Sequence, residues 1–293
     1  MNVHLENVNL NSTSGPNHFA AKLIKYIDAT FDPKEAPDVR LCFIESHSES
    51  NVPLVQRLDG IYFNTSQNYK LQNSNILRTY NRASGVIYQS NFNKELTTRY
   101  FGSHKNSTVI HNGADIDFIS KILPLNNSKL DKYDNVWACA SSWRPHKRLA
   151  ANIRYFLEHS TEKDCLIIAG KKNEHIVKEK RIFYVGDLSI HNLISLYKRS
   201  KYFIHLAWLD HCPNVVVDAR ASGCKIICSS TGGTKEIAGP DATLIQEEEW
   251  DYTPVELYNP PVLNFDKKLK NHCKTDYNMH NVALKYQKFL EGI

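Results

Sequence analysis

The sequence predicts an α/β protein of two domains, each built on a parallel β-sheet covered by helices on both faces. Short runs of β-branched, aromatic and other apolar residues alternate with helix-length segments along the chain. Most of these runs are apolar throughout, as in strands that are buried on both faces of a sheet. The length of 293 residues, with 42% hydrophobic and 23% charged residues, suits two globular domains of ordinary size.

The predicted strands are short apolar runs bounded by turn residues. In chain order they are residues 39–45, 60–64, 85–89, 108–111, 135–140, 164–169, 182–185, 202–206 and 225–229. The predicted helices lie between them, at residues 18–29, 91–101, 149–158, 190–200, 213–222 and 276–290. Ser90 and Ser189 precede two of these helices and can cap them.

A polar segment at residues 125–132 separates one series of strands and helices from the next. We therefore expect a first domain at residues 1–125 and a second at residues 126–293. Small-molecule sites favour clefts between domains and the carboxyl ends of parallel strands, where helix amino termini point at bound phosphate. The functional site is expected in such a cleft.

The bulk composition narrows the class of partner and the compartment. The net charge of +5 favours an anionic partner, which includes phosphorylated small molecules, membrane surfaces and nucleic acid. The seven cysteines are scattered and odd in number, without a CxxC pair, so a disulfide framework and a zinc site are not expected. The amino terminus does not resemble a signal peptide, and no segment approaches the ~20 apolar residues that span a bilayer, so we expect a cytoplasmic protein.

The strongest local signal is a pair of carboxylates eight residues apart, Asp210 and Asp218, with a proline and an asparagine between them. The pair follows a predicted strand and enters a predicted helix. Asp210 can face a ligand at the strand-to-helix turn, and Asp218 can accept hydrogen bonds from a diol such as ribose. The backbone amides of Asn214 and Val215 would meet a pyrophosphate. Taken alone, the pair is equally well explained without a ligand, with Asp210 as a helix cap and Asp218 as a solvated helical residue.

The residues after this helix strengthen the signal. Gly223 ends the helix, a buried strand follows, and a loop with Gly232 and Gly233 leads to Glu236. Glycines allow a loop backbone to approach a ligand closely. The order of carboxylates, helix, strand and glycine loop therefore favours a binding site over isolated surface residues.

Residues 210–236 resemble the donor-binding signature of family 4 glycosyltransferases, which have the GT-B fold of two Rossmann-like domains facing across a cleft. That family usually carries two glutamates at the eight-residue spacing, then a small-residue helix, a glycine, a strand and a Gly-Gly loop ending in glutamate. Both glutamates are aspartate here. The shorter side chain keeps the acceptor chemistry but retracts by one methylene, so the preferred donor would differ or the contact would be water-mediated.

Other segments resemble the family in the same order and extend the match over nearly the whole chain. They are the glycine loop at residues 12–16, an "IxNGxD" stretch at residues 109–115, a basic loop at residues 142–149, and two strand ends at residues 166–170 and 184–187. The resemblance also implies that the last helix, residues 276–290, crosses back onto the first domain.

The resemblance implies a retaining glycosyltransferase that needs no metal or other cofactor and takes a nucleotide-diphosphate sugar, a UDP- or GDP-sugar, as donor. Arg144 and Lys147 would hold the diphosphate, since charge develops on the leaving phosphate and two fixed cations stabilise it. The family's arginine would fall at Ser142 here, so either Arg144 reaches the diphosphate by a different route or Arg148 shares this task. Asp210 would hold the donor sugar.

The remaining donor contacts are also implied by the resemblance. Asp218 would bind the ribose, and the other implied positions are Gly15, Gly232 and Gly233 near the phosphates, Asn214 and Val215 at the helix amino terminus, and Gly186 and Leu188 beside the nucleobase.

Two further aspartate motifs have competing interpretations. Asp59, before a glycine at a strand edge of the first domain, would orient or deprotonate an acceptor hydroxyl, although a turn aspartate is the plainer alternative. Asp115 and Asp117 mimic the Asp-x-Asp metal motif of another transferase fold. They follow an Asn-Gly turn and open a helix, where aspartates serve as caps, so no metal site is expected.

The short first domain implies a shallow, open acceptor site that suits a large acceptor. A glycan or glycolipid precursor fits this description, the latter with peripheral contact at the inner face of a membrane. DNA carrying hydroxylated bases is an alternative acceptor, although no basic strip with interleaved aromatic residues supports it. A catalytically degenerate protein that only binds donors, and a sugar epimerase, are alternatives of another class.

Overall fold

The computed structural model describes residues 1–12, 14–31, 36–171 and 177–293. Within these residues the chain forms two separate sheets, one in each half of the chain, with helices packed against them. Thr13, in the predicted glycine loop, lies outside the described residues.

The first sheet contains six strands in the described residues, all paired in parallel. They are β1 (Val3–Glu6), β2 (Ala29–Thr30), β3 (Val39–Phe43), β4 (Leu54–Leu58), β5 (Gly85–Tyr88) and β6 (Ser107–Val109), in the order β2-β1-β3-β4-β5-β6. Helices α1 (Gly15–Leu23), α2 (Tyr69–Arg82) and α3 (Asn91–Phe101) connect them. The loops after β4, β5 and β6 therefore meet at one edge of the sheet.

The second sheet has seven strands in the described residues: β7 (Asn135–Ala140), β8 (Asp164–Ala169), β9 (Ile182–Gly186), β10 (Tyr202–His205), β11 (Lys225–Ser229), β12 (Thr243–Ile245) and β13 (Lys268–Lys270). Their order is β13-β12-β11-β10-β7-β8-β9, and β13 joins β12 antiparallel. The helices of this half are α4 (Ile116–Ser120), α5 (Leu149–His159), α6 (Ile190–Arg199), α7 (Asn214–Ala221) and α8 (Thr234–Ile237).

The last helix, α9 (Met279–Glu291), returns to the first sheet as expected. Its buried residues share one apolar core with Leu5, Phe19 and Leu41: they are Met279, Val282, Ala283, Tyr286 and Leu290. Conversely, Ile119 of α4 packs in the core of the second sheet. The boundary between residues 125 and 126 stays a prediction.

The expected α/β class and most of the expected elements are confirmed. Strands β7, β8 and β11 and helix α3 have the predicted bounds, and the other predicted elements of the second half differ by a few residues at their ends. The hydroxyl of Ser90 accepts a hydrogen bond from the Asn93 amide at 3.1 Å, and that of Ser189 from the Asn192 amide at 3.3 Å, so both predicted caps are confirmed.

The strand predicted at residues 60–64 is wrong, and the strand of that region is β4. β4 contains the polar residues Gln56 and Arg57, so the sequence does not show the apolar run expected of a buried strand. Both residues are nevertheless fully buried. The amide of Gln56 donates to the carbonyls of Ile44 and Ile76, at 2.6 and 3.1 Å. The apolar residues after Gly60 instead form a loop joined to the distant Val255 by an isolated bridge at Asn64.

The helix predicted at residues 18–29 is α1, which begins earlier, at Gly15, and ends at Leu23. Pro16 lies in the first turn, where its missing amide hydrogen costs nothing. After Ile24 the chain turns and enters β2. The apolar residues of this segment continue the pattern of the helix, so the predicted helix was too long at its end.

The described residues contain all seven cysteines without a disulfide, and six of the seven thiols are buried. No helix in the described parts of the chain combines the length and apolar character required to cross a membrane.

Candidate functional site

The centre of the candidate site is an ion pair between Lys147 and Asp210. Lys147 lies in a short 3-10 turn after β7, and Asp210 lies in the loop after β10. Because β7 and β10 are adjacent and parallel, their carboxyl ends bring these two loops together. Nζ of Lys147 donates to Oδ2 of Asp210 at 2.6 Å, and the two side chains are 17% and 12% exposed.

Two further donors hold the Asp210 carboxylate. Nε2 of His205, the last residue of β10, lies 2.8 Å from the same Oδ2, and the His211 amide donates to Oδ1 at 3.0 Å. Burial alone would raise the pKa of Asp210, but the Lys147 ammonium and the His205 bond outweigh it and hold that pKa well below its usual range. Asp210 is therefore ionised at neutral pH. The contribution of His205 was not predicted from the sequence.

Arg144 and Arg148 flank the Lys147 turn but have different environments. Arg144 is exposed where the turn begins. Arg148 is buried: its Nη2 donates to Glu247 at 2.7 Å and to the Pro261 carbonyl at 2.8 Å. The side chains of Arg148 and Glu247 are each 4% exposed. The structure does not bring Arg148 toward a diphosphate, because its guanidinium holds the segment around residues 247–261 against the second sheet.

The amino terminus of α7 faces the first domain. Pro213 is its N-cap, and no side chain of the described residues caps it. The side-chain amide of Asn214 donates to the Gly15 carbonyl at 3.0 Å, at the start of α1. Val215 is partly buried against the core of the second sheet. Gly15 and Asn214, both predicted near the donor phosphates, thus lie in contact across the cleft.

Asp218, one helical turn beyond Asn214, faces the same first-domain helix. Its Oδ1 accepts from Nζ of Lys22 at 3.2 Å, and its Oδ2 lies 3.3 Å from Nε2 of His18. Burial would raise the pKa of Asp218, but Lys22 and His18 outweigh it and lower the pKa. The side chain is 5% exposed. Its assignment to ribose stays a prediction, and ribose would have to share or displace these partners.

The two loop glycines are required by the loop that carries Asp210. Gly232 has φ of 76°, and a Cβ there would lie 2.7 Å from the Asp210 carbonyl oxygen. A Cβ on Gly233 would collide with the His211 carbonyl and lie 2.7 Å from Oγ of Ser90. The Gly233 amide donates to the Asp210 carbonyl at 2.7 Å. In this structure the close approach is to protein backbone, so the glycines fix the Asp210 loop, and their role near the phosphates stays a prediction.

Glu236, at the end of the glycine loop, ties the second domain to the first. Its carboxylate accepts from the backbone amides of Asn91 and Phe92, at 2.8 and 2.9 Å, and thereby caps α3 of the first domain. Nε2 of His111 lies 2.8 Å from Oε2. Burial would raise the pKa of Glu236, but these contacts outweigh it and lower the pKa. The sequence contains Glu236 in the recognised signature but gives no sign of this partner.

The region predicted for the nucleobase lies at the ends of β8 and β9. Gly186 has φ of 68°, and a Cβ there would meet none of the described residues within 4 Å. Its carbonyl accepts from the Gly170 amide at 2.8 Å, which fixes the two strand ends together. Leu188 is partly buried against the second core. The backbone of Gly186 is thus open at the carboxyl edge of the sheet.

Asp59 lies on the opposite wall of the cleft, in the loop after β4. It forms an ion pair with Arg57, and its Oδ2 has no hydrogen-bond partner in the described part of the chain. Burial raises the pKa of Asp59, and Arg57 offsets the rise only in part. Arg57 is itself clamped, with Nε donating to the Tyr286 hydroxyl at 2.9 Å and Nη2 to Asn112 at 2.7 Å.

Close contacts across the cleft bring its two walls together. A Cβ on Gly60, next to Asp59, would collide with the ring of His211, the neighbour of Asp210. The side-chain amide of Asn112 crosses the cleft to the Cys212 carbonyl at 2.7 Å. Burial lowers the pKa of His211 to about 4, so its ring is neutral at pH 7. Gly60 and His211, the chain neighbours of the predicted acceptor-side and donor-side carboxylates, are therefore in contact across the cleft.

The Asp-x-Asp motif has separate structural partners. Asp115 caps α4 by accepting from the Phe118 amide at 2.9 Å and pairs with Lys25 at 2.7 Å. Asp117 pairs with His280 of α9 at 2.8 Å. The expected capping role of Asp115 is confirmed. Across the described residues, no three or more His, Cys, Asp or Glu side chains are grouped as they would be to hold a metal ion.

Residues 127–252 match the family model described as "Glycosyl transferases group 1". These residues include Lys147, Asp210, Asp218 and both loop glycines. No curated protein sequence matches the chain.

Solved structures with both sheets in this arrangement include glycosyltransferases. HepE from Anabaena in complex with UDP-glucose has 14% identity and a TM-score of 0.70, and the match covers 100% of this chain and 99% of that chain. Sucrose-phosphate synthase from Thermosynechococcus elongatus has 12% identity and a TM-score of 0.64, over 95% and 77% of the two chains. AviGT4, a glycosyltransferase involved in avilamycin A biosynthesis, has 12% identity and a TM-score of 0.60, over 99% and 97%. The predicted GT-B fold is thereby confirmed.

Proposed function

We propose that this chain transfers a sugar from a nucleotide-diphosphate donor to a hydroxyl acceptor, as a group 1, family 4-like enzyme that retains the anomeric configuration and needs no metal. The observation that carries the proposal is the Lys147–Asp210 pair, 2.6 Å apart at the carboxyl edge of a parallel sheet and beside the open amino terminus of α7. A cation, a carboxylate and helix amides at one cleft wall match the three parts of such a donor.

In the proposed reaction Lys147 stabilises the leaving diphosphate. Negative charge grows on the phosphate as the bond between the sugar's anomeric carbon and the diphosphate oxygen breaks and the acceptor oxygen bonds to that carbon. A fixed ammonium in a partly buried cleft stabilises that charge strongly. Lys147 is 17% exposed, so a phosphate can reach it without disrupting a core. Arg144 is exposed at the same turn and supplies the second cation. Asp210 accepts hydrogen bonds from sugar hydroxyls.

Uracil is the proposed base of the donor nucleotide, with guanine as the alternative. The support is that HepE was solved with UDP-glucose and shares this fold over the whole chain. The nucleobase would lie against Gly186 and Leu188, and the ribose near Asp218. Because Asp218 is engaged by Lys22 and His18, ribose binding requires that these contacts be shared.

The acceptor is proposed to bind on the first-domain wall of the cleft, on the side that carries Asp59. Asp59 has a buried oxygen that makes no hydrogen bond within the described residues, and a hydroxyl would satisfy it. Burial also raises the pKa of Asp59, the direction that favours a carboxyl that exchanges a proton with a hydroxyl. We propose a glycan or glycolipid precursor as the acceptor, and a cytoplasmic site of action.

A panel of UDP, GDP, ADP and TDP and their sugars tests the donor assignment by thermal stabilisation. A ligand at a hundred times its dissociation constant stabilises the folded state by about 2.7 kcal/mol. We expect one diphosphate to raise the melting temperature of the wild type and of Lys94→Met, an exposed lysine on α3. Lys147→Met should lose most of the shift. Absence of a shift with every nucleotide would refute the donor site.

The acceptor is tested by adding simple glycosides, glycolipids or duplex DNA with 5-hydroxymethylcytosine to the donor that binds. Product appears with a glycoside or glycolipid if the proposal is right, and NMR of its anomeric proton reports retention or inversion. Product with DNA alone would contradict the acceptor class. Conversion of the donor without any acceptor would favour an epimerase.

A further inference from the structure

His205 lies directly behind the Asp210 carboxylate. It is the last residue of β10, and its side chain is 3% exposed. Nε2 of His205 lies 2.8 Å from Oδ2 of Asp210. The ring of Phe203, on the same strand, is stacked parallel to the imidazole at 6.4 Å between centroids. The ring is therefore fixed in place and cannot reach a ligand in the cleft.

The two side-chain partners of Asp210 differ in what else they can do. Lys147 has a flexible stem and partial exposure, so its ammonium can turn from the carboxylate toward a phosphate. Once it does, Asp210 keeps the His205 bond and the His211 amide. A buried carboxylate that loses its partners is costly and tends to take up a proton. His205 is the partner that the donor cannot draw away.

We propose that His205 is a positioning residue that holds the Asp210 carboxylate oriented and charged while Lys147 engages the donor diphosphate. This inference rests on the proposed function. Asp210 is shorter by one methylene than the glutamate usual in the family that this chain resembles. Its carboxylate is therefore farther from the donor sugar, and its orientation depends more on a fixed hydrogen-bond partner such as His205. The titratable groups that interact with Asp210 in the described structure are Lys147 and His146 from the turn after β7, His205 from β10, and His211 and Cys212 in its own loop.

The experiment compares His205→Leu with His205→Gln in the full-length protein, using UDP and UDP-glucose as probes. Leucine removes the donor atom, whereas the glutamine amide nitrogen falls near the position of Nε2 and can restore the bond. A hydrogen bond to a charged group is worth about 1.5–3 kcal/mol, which corresponds to roughly 10- to 150-fold. We expect turnover of UDP-glucose to fall by about that factor in His205→Leu and to recover largely in His205→Gln.

Two readouts separate positioning from a general structural defect. UDP lacks the sugar that Asp210 contacts, so His205→Leu should bind UDP like the wild type but lose the additional affinity for UDP-glucose. The pH–rate profile should shift its acid limb to higher pH, because Asp210 loses a group that lowers its pKa. Ile204→Val, a matched packing change on the same strand, should alter neither.

The outcomes distinguish the two proposals. A wild type that neither binds nor turns over UDP-glucose, nor any other nucleotide sugar, would overturn the proposed function. A wild type that does so, with His205→Leu unchanged in sugar-dependent affinity and acid limb, would overturn the role of His205. Equal losses of UDP and UDP-glucose affinity in His205→Leu would also overturn it, since they indicate a collapsed site.

Discussion

Replacing Lys22 by methionine should destabilise the protein far more than its position on a helix suggests. Lys22 of α1 and Asp218 of α7 form an ion pair across the two domains, 3.2 Å apart, with side chains 8% and 5% exposed. Methionine keeps the length of the apolar stem but removes the charge. Among the described residues, His18 would then be the remaining side-chain partner of the buried Asp218, at 3.3 Å.

Removing one member of a buried ion pair costs about 3–5 kcal/mol, because the other charge is left without compensation. His18 retains part of the interaction, so we expect Lys22→Met to lower the free energy of unfolding by about 3 kcal/mol at pH 7. The loss depends on pH. The folded-state pKa of Asp218 is lowered, so its stabilising contribution is present above the unfolded pKa of about 3.9 and is lost as the pH falls through the folded value.

Urea denaturation followed by tryptophan fluorescence measures this difference between pH 7 and pH 4. Without the Lys22 ammonium, burial raises the pKa of Asp218 in the variant, so Asp218 takes up a proton at a higher pH than in the wild type. The difference between wild type and Lys22→Met should therefore shrink as the pH falls toward 4. Lys25→Met is the matched control, because Lys25 pairs with Asp115 but is 52% exposed and should contribute less than about 1 kcal/mol. Equal effects of the two substitutions at pH 7 would refute a buried interdomain pair.

Three further outcomes follow from the contacts described above. Arg148→Met should lower the free energy of unfolding by about 3 kcal/mol, because it breaks the buried pair with Glu247. The affinity for UDP measured by calorimetry should stay near that of the wild type. Weakened UDP binding in a fully folded variant would show that Arg148 contacts the donor. Glu236→Gln should lower the free energy of unfolding by about 1–3 kcal/mol and increase the radius of gyration in X-ray scattering, because the carboxylate links the α3 amino terminus to the second domain. An unchanged radius and stability would contradict that link. Because its folded pKa is lowered, the contribution of Glu236 is present above the unfolded value near 4.3 and is lost as the pH falls below it. A thiol reagent should label Cys273 rapidly in the native protein and the buried cysteines only after unfolding, and rapid labelling of Cys139, whose pKa burial raises, would show that the second core is open.

Much of the second domain could be predicted from the sequence because its strands are apolar and buried on both faces. β7, β8 and β11 have the predicted bounds, and adjacent parallel strands then place Lys147 beside Asp210. Local patterns determine such elements, since each strand is a contiguous run between turn residues. The pairing of those two side chains follows once the strand order is known.

The first domain was harder to predict because its central strand is polar. Arg57 is fully buried in β4, bonded to a tyrosine hydroxyl 229 residues later in the chain. Two phenylalanine rings, Phe19 and Phe43, lie 4.2 and 5.0 Å from its guanidinium. No local pattern reveals such partners, so the apolar run after Gly60 was the better strand candidate.

The site residues show the same limit. Arg148 looks like a phosphate ligand because it follows Lys147, but it binds Glu247, 99 residues later in the sequence. Asp218 looks like a free helical carboxylate, but Lys22 and His18 reach it from 196 and 200 residues away. The sequence gives the chemical type of each residue, and the packing of two domains decides which groups a ligand can reach.

The most direct test of glycosyl transfer at Lys147 and Asp210 is phosphorus NMR of UDP-sugars incubated with the wild type, Lys147→Met and Lys94→Met, with and without glycoside acceptors. We expect the wild type and Lys94→Met to release UDP, faster with an acceptor, and Lys147→Met to release it far more slowly. UDP release at equal rates in all three proteins, or none with any nucleotide sugar, would contradict a glycosyl-transfer site at Lys147 and Asp210.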